Sequence, residues 1–257
     1  RRHPWVERQA QFNQLDAQLG NDARRRLAIA SYFGLVSFLD EQLGRVLGAL
    51  GALGLRDETL VIYTSDHGDN LGARGMWNKS LLYRESTAVP LVLAGTDIPR
   101  GRSATNTSLV DIFPTVLDAF GVAPSATDKA LPGSSLLQLA AAPEQARSIL
   151  SEYHAVGSVS GAFMLAHGRF KYHHYVGYPP ELFDLQDDPQ EEHDLADSPA
   201  HQPVLRDCEQ RLRAIVDPQQ ADRQAKDDQN ALVARLGGRD AALRQGKIGA
   251  SPVPAGP

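Results

Sequence analysis

The sequence predicts an α/β fold with a mainly parallel sheet flanked by helices, followed by a small antiparallel sheet with one packing helix. A helical pattern over residues 23–50 leads into a short apolar run at 60–63, and a second apolar run occupies 89–95. A helix followed by a buried strand is typical of parallel sheets covered by helices. From residue 148 onward, apolar and polar residues alternate between turn signals. This alternation predicts an antiparallel meander.

The remaining elements follow in order. The opening RRHPWVERQ predicts a loop, and no strand is visible before residue 59. Because a parallel α/β domain normally begins with a strand, we expect this chain to be the later part of a longer protein. The loop over 68–88 is long enough to indicate a function. Residues 105–121 predict a capped helix that ends at Gly121, and SPAHQPVLRDCEQRLRAIV predicts another.

These elements divide the chain into three parts. Residues 1–145 form the α/β core domain, 146–216 a small antiparallel α+β subdomain, and 217–257 a polar helix with an extended tail. The 257 residues suffice for one such domain and a smaller module. The proline-rich end of the tail forms no core by itself. We therefore expect residues 217–257 to contact a neighbouring subunit in a homo-oligomer.

Composition excludes several classes of protein. The net charge is −5 and no basic stripe is present, which argues against nucleic-acid binding. No run of about 18 apolar residues exists, so we expect no membrane span and no targeting segment in this chain. The single cysteine, Cys208, rules out an internal disulfide and lies in a helical pattern typical of a structural residue. Cytoplasmic and periplasmic locations are both compatible with one cysteine.

The first candidate site residues are Asp66 and His67, at the end of the strand pattern VIYTSDHG. Ligands of open α/β sheets gather outside the carboxyl ends of strands, where an acid and an imidazole can both bind a divalent cation. Gly68 permits a close approach there. A solvated polar turn explains the same residues, and a catalytic metal usually has at least three protein ligands.

Further candidates are Lys79 and His154. Lys79 lies twelve positions after His67 in the long loop, where its ammonium can stabilise charge on a substrate oxygen. His154 follows a strand pattern and either faces the same cleft or is a surface residue. His173 and His174 alternate along a strand and should point to opposite faces, which opposes joint metal ligation. No G-x-S-x-G elbow, P-loop, Rossmann fingerprint, EF-hand or C-x-x-C motif supplies other chemistry.

The stretch LVIYTSDHGDNLGARGMWNKSLLYRESTAVPLVLAG contains, in order, an Asp-His-Gly at the strand end, a Leu-Gly, a G-M-W and a lysine. With further motifs in order over about residues 25–216, it resembles the metal-ligand segment of the sulfatases of the alkaline phosphatase superfamily. SLVDIFPTVLDAFGV resembles the next helix, and PPELFDLQDDPQEEHDLA the C-terminal hairpin. The His67 position is closest to the branch of choline sulfatases and phosphonate monoester hydrolases. The resemblance therefore implies an alkaline-phosphatase-like fold that is incomplete in this chain.

The resemblance also implies roles for the candidates. Asp66 and His67 would be two ligands of one divalent cation, Ca²⁺ or Mn²⁺, and Lys79 would contact the sulfate or phosphate group of a small ester. His154 is predicted to bind substrate from its position at a strand end, not from the resemblance. The family's nucleophile is a formylglycine made in a C-x-P-S-R-type motif, which this sequence does not contain. We therefore expect the nucleophile in a missing N-terminal half and no turnover by this polypeptide alone.

Three functions remain open from the sequence. The first is hydrolysis of a sulfate ester, and the second is hydrolysis of a phosphodiester or phosphonate monoester by the same kind of site. The third is a non-catalytic module that binds metal or assembles with a partner. The sequence does not identify the substrate, because substrate pockets are built from loops throughout a chain.

Overall fold

A computed structural model of the protein describes residues 2–96 and 98–244. Its helices and strands are, in chain order, α1 (Pro4–Asn13), α2 (Leu15–Leu19), α3 (Asp22–Ala52), β1 (Val61–Thr64), α4 (Arg84–Thr87), β2 (Leu91–Ala94), α5 (Ile112–Ala119), α6 (Leu136–Ala141), β3 (Ser148–Tyr153), β4 (Ala162–His167), β5 (Phe170–Tyr175), β6 (Glu181–Asp184), α7 (Gln202–Ile215), α8 (Pro218–Arg235) and α9 (Arg239–Arg244). The predicted extended tail lies beyond residue 244, outside the described residues.

The strands form two sheets, and the α/β class is confirmed. β1 and β2 make a two-stranded sheet in which Thr64 pairs with Leu91 and Val61 with Ala94. This pairing is antiparallel, so the parallel arrangement expected for these two strands is wrong. A parallel pair needs a crossover of a dozen or more residues that returns to the opposite edge. Here the connection contains only the short helix α4 and a 3₁₀ turn at Ala73–Gly75, and β2 begins beside the carboxyl end of β1, where Leu91 pairs with Thr64.

The second sheet is the predicted meander, with strand order β3-β4-β5-β6 and antiparallel neighbours throughout. Side chains alternate across it. Ala162 and Met164 face a core shared with α1 and the loop after β1. Phe163 and Leu165 face a second core, closed by Leu212 of α7. The first core therefore joins residues on both sides of the predicted boundary at 145/146.

The chain begins with a helix where the sequence predicts a loop. His3 caps α1 by accepting a hydrogen bond at Nδ1 from the Trp5 N–H (3.2 Å), and Pro4 occupies the first turn, where it needs no partner. The Trp5 side chain is 1% exposed and donates from Nε1 to the Ser160 carbonyl (3.1 Å). The interpretation as a loop is wrong because local composition carries no information about this long-range burial of an aromatic side chain.

Helix α3 confirms the helix predicted over residues 23–50 and extends it slightly at both ends. None of its residues is buried, and Leu27, Phe33 and Val36 are among its exposed apolar side chains. A groove of about 1430 Å³ separates it from the β1–β2 sheet. Within the described part of the chain, no helix has both the length and the apolar character needed to cross a bilayer.

An ion pair between Arg147 and the buried Asp111 connects the residue before α5 to the residue before β3. Both Asp111 oxygens accept hydrogen bonds from Arg147, each at 2.9 Å, and the backbone N–H groups of Ser108 and Ser134 also donate to this carboxylate. Burial by itself would raise the pKa of Asp111. The bonds from Arg147, Ser108 and Ser134 outweigh burial and hold the pKa below its ordinary value.

Replacing Asp111 with asparagine should lower the free energy of unfolding by about 1–3 kcal/mol at pH 7, because charge-assisted hydrogen bonds are lost. The pKa of Asp111 is lower in the folded state. Its contribution is therefore fully present above the unfolded-state pKa of about 3.9, and it is lost as the pH falls towards the folded-state pKa. Urea denaturation at pH 7 and pH 3 measures both values. A difference between wild type and D111N that does not shrink at pH 3 would contradict the assignment. The same change at the exposed Asp227 is the control.

Candidate active site

The predicted site residues lie where β1 ends. Asp66 and His67 follow the strand after Ser65, and β2 begins beside them because Thr64 pairs with Leu91. A cleft of about 690 Å³ opens at this edge, between the end of β1, α4 and strand β3. Asp66, His67 and Lys79 all line the cleft.

Three of the four candidates come together. The Lys79 Nζ atom is 2.7 Å from His67 Nε2, and His67 Nε2 is 3.4 Å from Asp66 Oδ2. The Asp66 side chain is 81% exposed, so its carboxylate is open to the cleft. Desolvation opposes its charged form, but the electrostatic attraction of His67, the His67 backbone N–H bonded to Oδ1 and the nearby Lys79 ammonium outweigh this and lower the pKa of Asp66.

Hydrogen bonding defines which nitrogen of His67 faces the cleft. Nδ1 is 2.8 Å from the Gly68 carbonyl oxygen, which can only accept, so Nδ1 carries the proton. Nε2 then presents its lone pair towards Asp66 Oδ2 and Lys79. A metal-binding histidine generally donates its other nitrogen to a carbonyl or carboxylate in this way. A carboxylate oxygen and an imidazole lone pair that converge on one point fit a divalent cation.

The described residues provide this pair and no larger set of ligands. No cluster of three or more histidine, cysteine, aspartate or glutamate side chains is arranged to hold a metal ion in the part of the chain that the structure describes. Asp66 and His67 therefore correspond to part of a coordination shell, and a complete catalytic site needs further ligands.

Gly68 holds the strand end against α4. Its N–H donates to the Ser86 carbonyl (2.9 Å), and a Cβ at this position would lie 2.0 Å from the Glu85 carbonyl oxygen. No side chain fits at that distance. The contact requires glycine and fixes the backbone directly after His67.

The loop over residues 70–78 brings Lys79 back to His67. The backbone N–H and the side-chain Nδ2 of Asn70 both donate to the Asn78 carbonyl, at 2.9 and 2.5 Å. Asn78 has a φ of +65°, a conformation that asparagine tolerates better than most residues. Closure of the loop by these bonds explains why a lysine twelve positions away reaches the histidine.

Below the cleft lies a charged pair that sequence reasoning missed. Lys171 of β5 and Glu191 have side chains 4% and 0% exposed, and Nζ lies 2.8 Å from Oε1. The Arg84 N–H donates to Glu191 Oε2 (3.1 Å), and Lys171 is also 3.2 Å from Thr87 Oγ1. Burial lowers the pKa of Lys171 against the attraction of Glu191. The sequence signal that could have indicated this pair is the position of Lys171 on a buried face of the strand pattern FKYHHY.

The structure does not bring His154 to the cleft. Its ring packs edge-on against Phe163, on the sheet face covered by α7, and Nε2 lies 3.2 Å from Glu152. Its carbonyl accepts a hydrogen bond from Gln229 of α8. A direct substrate contact by His154 therefore has no support in this geometry, because the residue packs on the opposite face of the sheet from Tyr83 and the site loop.

The other titratable residues have structural positions. His173 is buried beside Glu181, Tyr83 and Tyr175, whereas His174 lies on the opposite face, as the strand alternation predicts. Cys208 is buried in α7, and burial raises the pKa of its thiol to about 11, so it is not a nucleophile.

Comparison with known families matches most of the chain. The Sulfatase family model matches residues 3–122, and the model described as N-sulphoglucosamine sulphohydrolase, C-terminal, matches residues 72–218. Choline-sulfatase of Rhizobium meliloti (strain 1021) is 35% identical over 180 residues, which cover 70% of this chain and 35% of that protein. Arylsulfatase K of Homo sapiens is 35% identical over 175 residues, covering 63% and 32% respectively.

Solved structures share the fold. A phosphonate monoester hydrolase from Silicibacter pomeroyi matches with a TM-score of 0.68 and 29% identity over 82% of this chain and 47% of that one. A sulfatase structure from Bacteroides thetaiotaomicron matches with a TM-score of 0.67 and 27% identity, over 90% and 47%. The fold is that of the alkaline phosphatase superfamily. Within it, the chain belongs to the sulfatase family. It spans about a third of the length of these curated relatives.

Proposed function

We propose that the protein hydrolyses sulfate esters and that this chain contributes Asp66 and His67 as ligands of one divalent cation. The observation that carries the proposal is the convergence of Asp66 Oδ2, His67 Nε2 and Lys79 Nζ at one edge of the cleft. The cation is Ca²⁺ or Mn²⁺; carboxylate suits both, and imidazole favours the transition metal. When bound, it supplies positive charge that polarises a sulfate oxygen.

The residues of this chain have distinct tasks in the reaction. His67 keeps its proton on Nδ1, bonded to the Gly68 carbonyl, so that Nε2 stays a lone-pair donor. Lys79 donates hydrogen bonds to a sulfate oxygen and to the leaving oxygen as negative charge develops there. The family resemblance implies that a formylglycine would be the attacking group, and the present sequence contains no C-x-P-S-R-type motif that would form it. This chain alone should therefore show no turnover.

A second candidate is hydrolysis of a phosphodiester or phosphonate monoester. It is favoured by the structural similarity to a phosphonate monoester hydrolase. Side-by-side assays of an aryl sulfate and an aryl phosphodiester, on the longest natural form of the protein that contains these residues, distinguish the two. A higher kcat/KM on the phosphodiester would overturn the first candidate.

Titration with Mn²⁺ tests the cation site without any activity. We expect the chain to bind Mn²⁺, and His67→Ala should raise the Kd by at least about tenfold because one of two ligands is removed. Electron paramagnetic resonance of free Mn²⁺ measures both values. His154→Ala is the matched control, since His154 also lies beside a carboxylate, Glu152, but away from the cleft. A wild-type chain that binds no Mn²⁺ and no Ca²⁺, and whose binding is not restored when upstream residues are added, would favour a non-catalytic assembly module.

The proposed subunit contact through residues 217–257 is separate from the site. Part of this segment already packs on its own chain, because Asp222 of α8 accepts a hydrogen bond from the Gly161 N–H (2.7 Å). Assembly through this segment stays a prediction.

A further inference from the structure

The tip of the site loop is held by one arginine. Arg74 lies halfway between the closing residues Asn70 and Asn78, and its side chain reaches out of the loop. We propose that Arg74 is a positioning residue for Lys79 and holds the ammonium in front of His67 by fastening the loop to the C-terminal subdomain. The role in catalysis rests on the proposed function, whereas the fastening does not.

The guanidinium of Arg74 has partners on three sides. Nη1 bonds both oxygens of Glu85, at 3.1 and 3.0 Å. Nη2 donates to the carbonyls of Gln190 (2.7 Å) and Glu191 (2.8 Å). The group also lies 4.0 Å from the centroid of the Tyr83 ring. Lysine carries the same charge but cannot form this planar fork, so the site is specific for arginine.

The backbone of Arg74 shows that the contact is enforced. Its φ is +54°, in the left-handed region that a residue with a Cβ adopts at a cost. Such conformations persist where surrounding contacts over-determine them. Here the Arg74 carbonyl also accepts a hydrogen bond from Arg2 Nε (2.8 Å), so both main chain and side chain are held.

Two routes connect Arg74 to the site. Within the loop, the Gly72 N–H donates to the Met76 carbonyl (2.8 Å), Met76 is buried, and the Asn70–Asn78 bonds close the base directly before Lys79. Outside the loop, the Glu85 side chain binds Arg74 while its carbonyl lies against Gly68, next to His67. Lys79 and His67 are therefore placed relative to the same anchor.

Hydrogen exchange tests the fastening without any activity. In Arg74→Lys, the amides of Gly72 and Met76 should exchange at least about tenfold faster, because the loop opens locally, while amides of β4 and β5 keep their protection. Arg74→Gly is the second variant, since glycine adopts the left-handed backbone freely yet lacks the guanidinium. The matched control is Arg147→Lys. Arg147 is 18% exposed against 19% for Arg74 and also grips a carboxylate with two bonds.

The control variant Arg147→Lys should lower the free energy of unfolding and leave the exchange rates of the Gly72 and Met76 amides unchanged. Unchanged loop exchange in both Arg74 variants would overturn the fastening.

A double-mutant cycle on the longest natural form of the protein tests the catalytic part. Arg74→Lys should lower kcat/KM roughly 10- to 100-fold, because small misplacements of a catalytic group are costly. It should cost little more once Lys79→Met has removed the group that it positions. If the losses of kcat/KM in the two single variants add in the double variant, Arg74 acts independently of Lys79. That result would overturn the proposal that Arg74 positions Lys79. Absence of hydrolase activity would contradict the proposed function, while the exchange measurement would still decide the fastening.

Discussion

Replacing Lys171 with methionine should lower the free energy of unfolding by about 3–5 kcal/mol, because it leaves a buried carboxylate without its cation. The Glu191 side chain is fully buried, and its remaining partner is the Arg84 N–H. The pair lies beside α4, because the Arg84 N–H donates to Glu191. In the same helix, the Ser86 carbonyl accepts the hydrogen bond from the Gly68 N–H. Urea denaturation at pH 7 measures the loss.

The double variant Lys171→Met, Glu191→Gln is the control for this prediction. It removes both charges and keeps a side chain that can accept from Arg84, so it should recover a large part of the stability. If the free energy of unfolding of the Lys171→Met single variant lies within about 1 kcal/mol of the wild-type value, the prediction is contradicted. A loss of that size is expected for an exposed ion pair.

Replacing Lys79 with methionine should lower kcat/KM about 10²- to 10³-fold on a sulfate ester, in the longest natural form of the protein that contains these residues. This is the usual effect of removing one donor to developing negative charge. Methionine keeps most of the volume of lysine and removes only the ammonium. The Kd for Mn²⁺ should change much less than kcat/KM, because Lys79 is not one of the proposed ligands.

Lys129→Met provides the matched control, since Lys129 lies in an exposed 3₁₀ turn outside the cleft. Its kcat/KM should equal that of the wild type. A Lys79→Met enzyme with more than about half of the wild-type kcat/KM would contradict the assigned role. Removal of a donor to developing negative charge usually lowers the rate by far more than twofold.

Local patterns predicted a large part of the fold. Helical periodicity located α3 and α7, and alternation located the meander, because each depends on neighbours in sequence. The antiparallel pairing of β1 with β2 escaped this reasoning, since strand direction depends on where a long connection returns. Helix α1 escaped it too, since Trp5 is buried by residues about 150 positions later.

For the candidate site, too, the sequence predicted residues that are close together in the chain and missed those with distant partners. Asp66, His67 and Lys79 were predicted because they lie within one short stretch of sequence, and the structure brings them together. Arg74 and Lys171 were missed because their partners are distant: Arg74 binds carbonyls more than 110 positions away. A buried lysine on an alternating strand does require a carboxylate, but sequence alone does not say which one.

The distance in sequence between the site loop and its supports has a consequence for how the protein folds. Arg74, Tyr83 and Arg84 are tied to residues 181–191, so the loop closes over roughly a hundred intervening residues. Contacts between residues so far apart in sequence form late in folding. The chain loses conformational entropy when it closes such a long loop, before the contacts themselves stabilise the structure. During synthesis on the ribosome, Asp66, His67 and Lys79 emerge long before the hairpin that orders their loop. Asp66, His67 and Lys79 therefore reach their final arrangement only when the C-terminal subdomain has folded, and an unfinished chain leaves their loop without its long-range contacts.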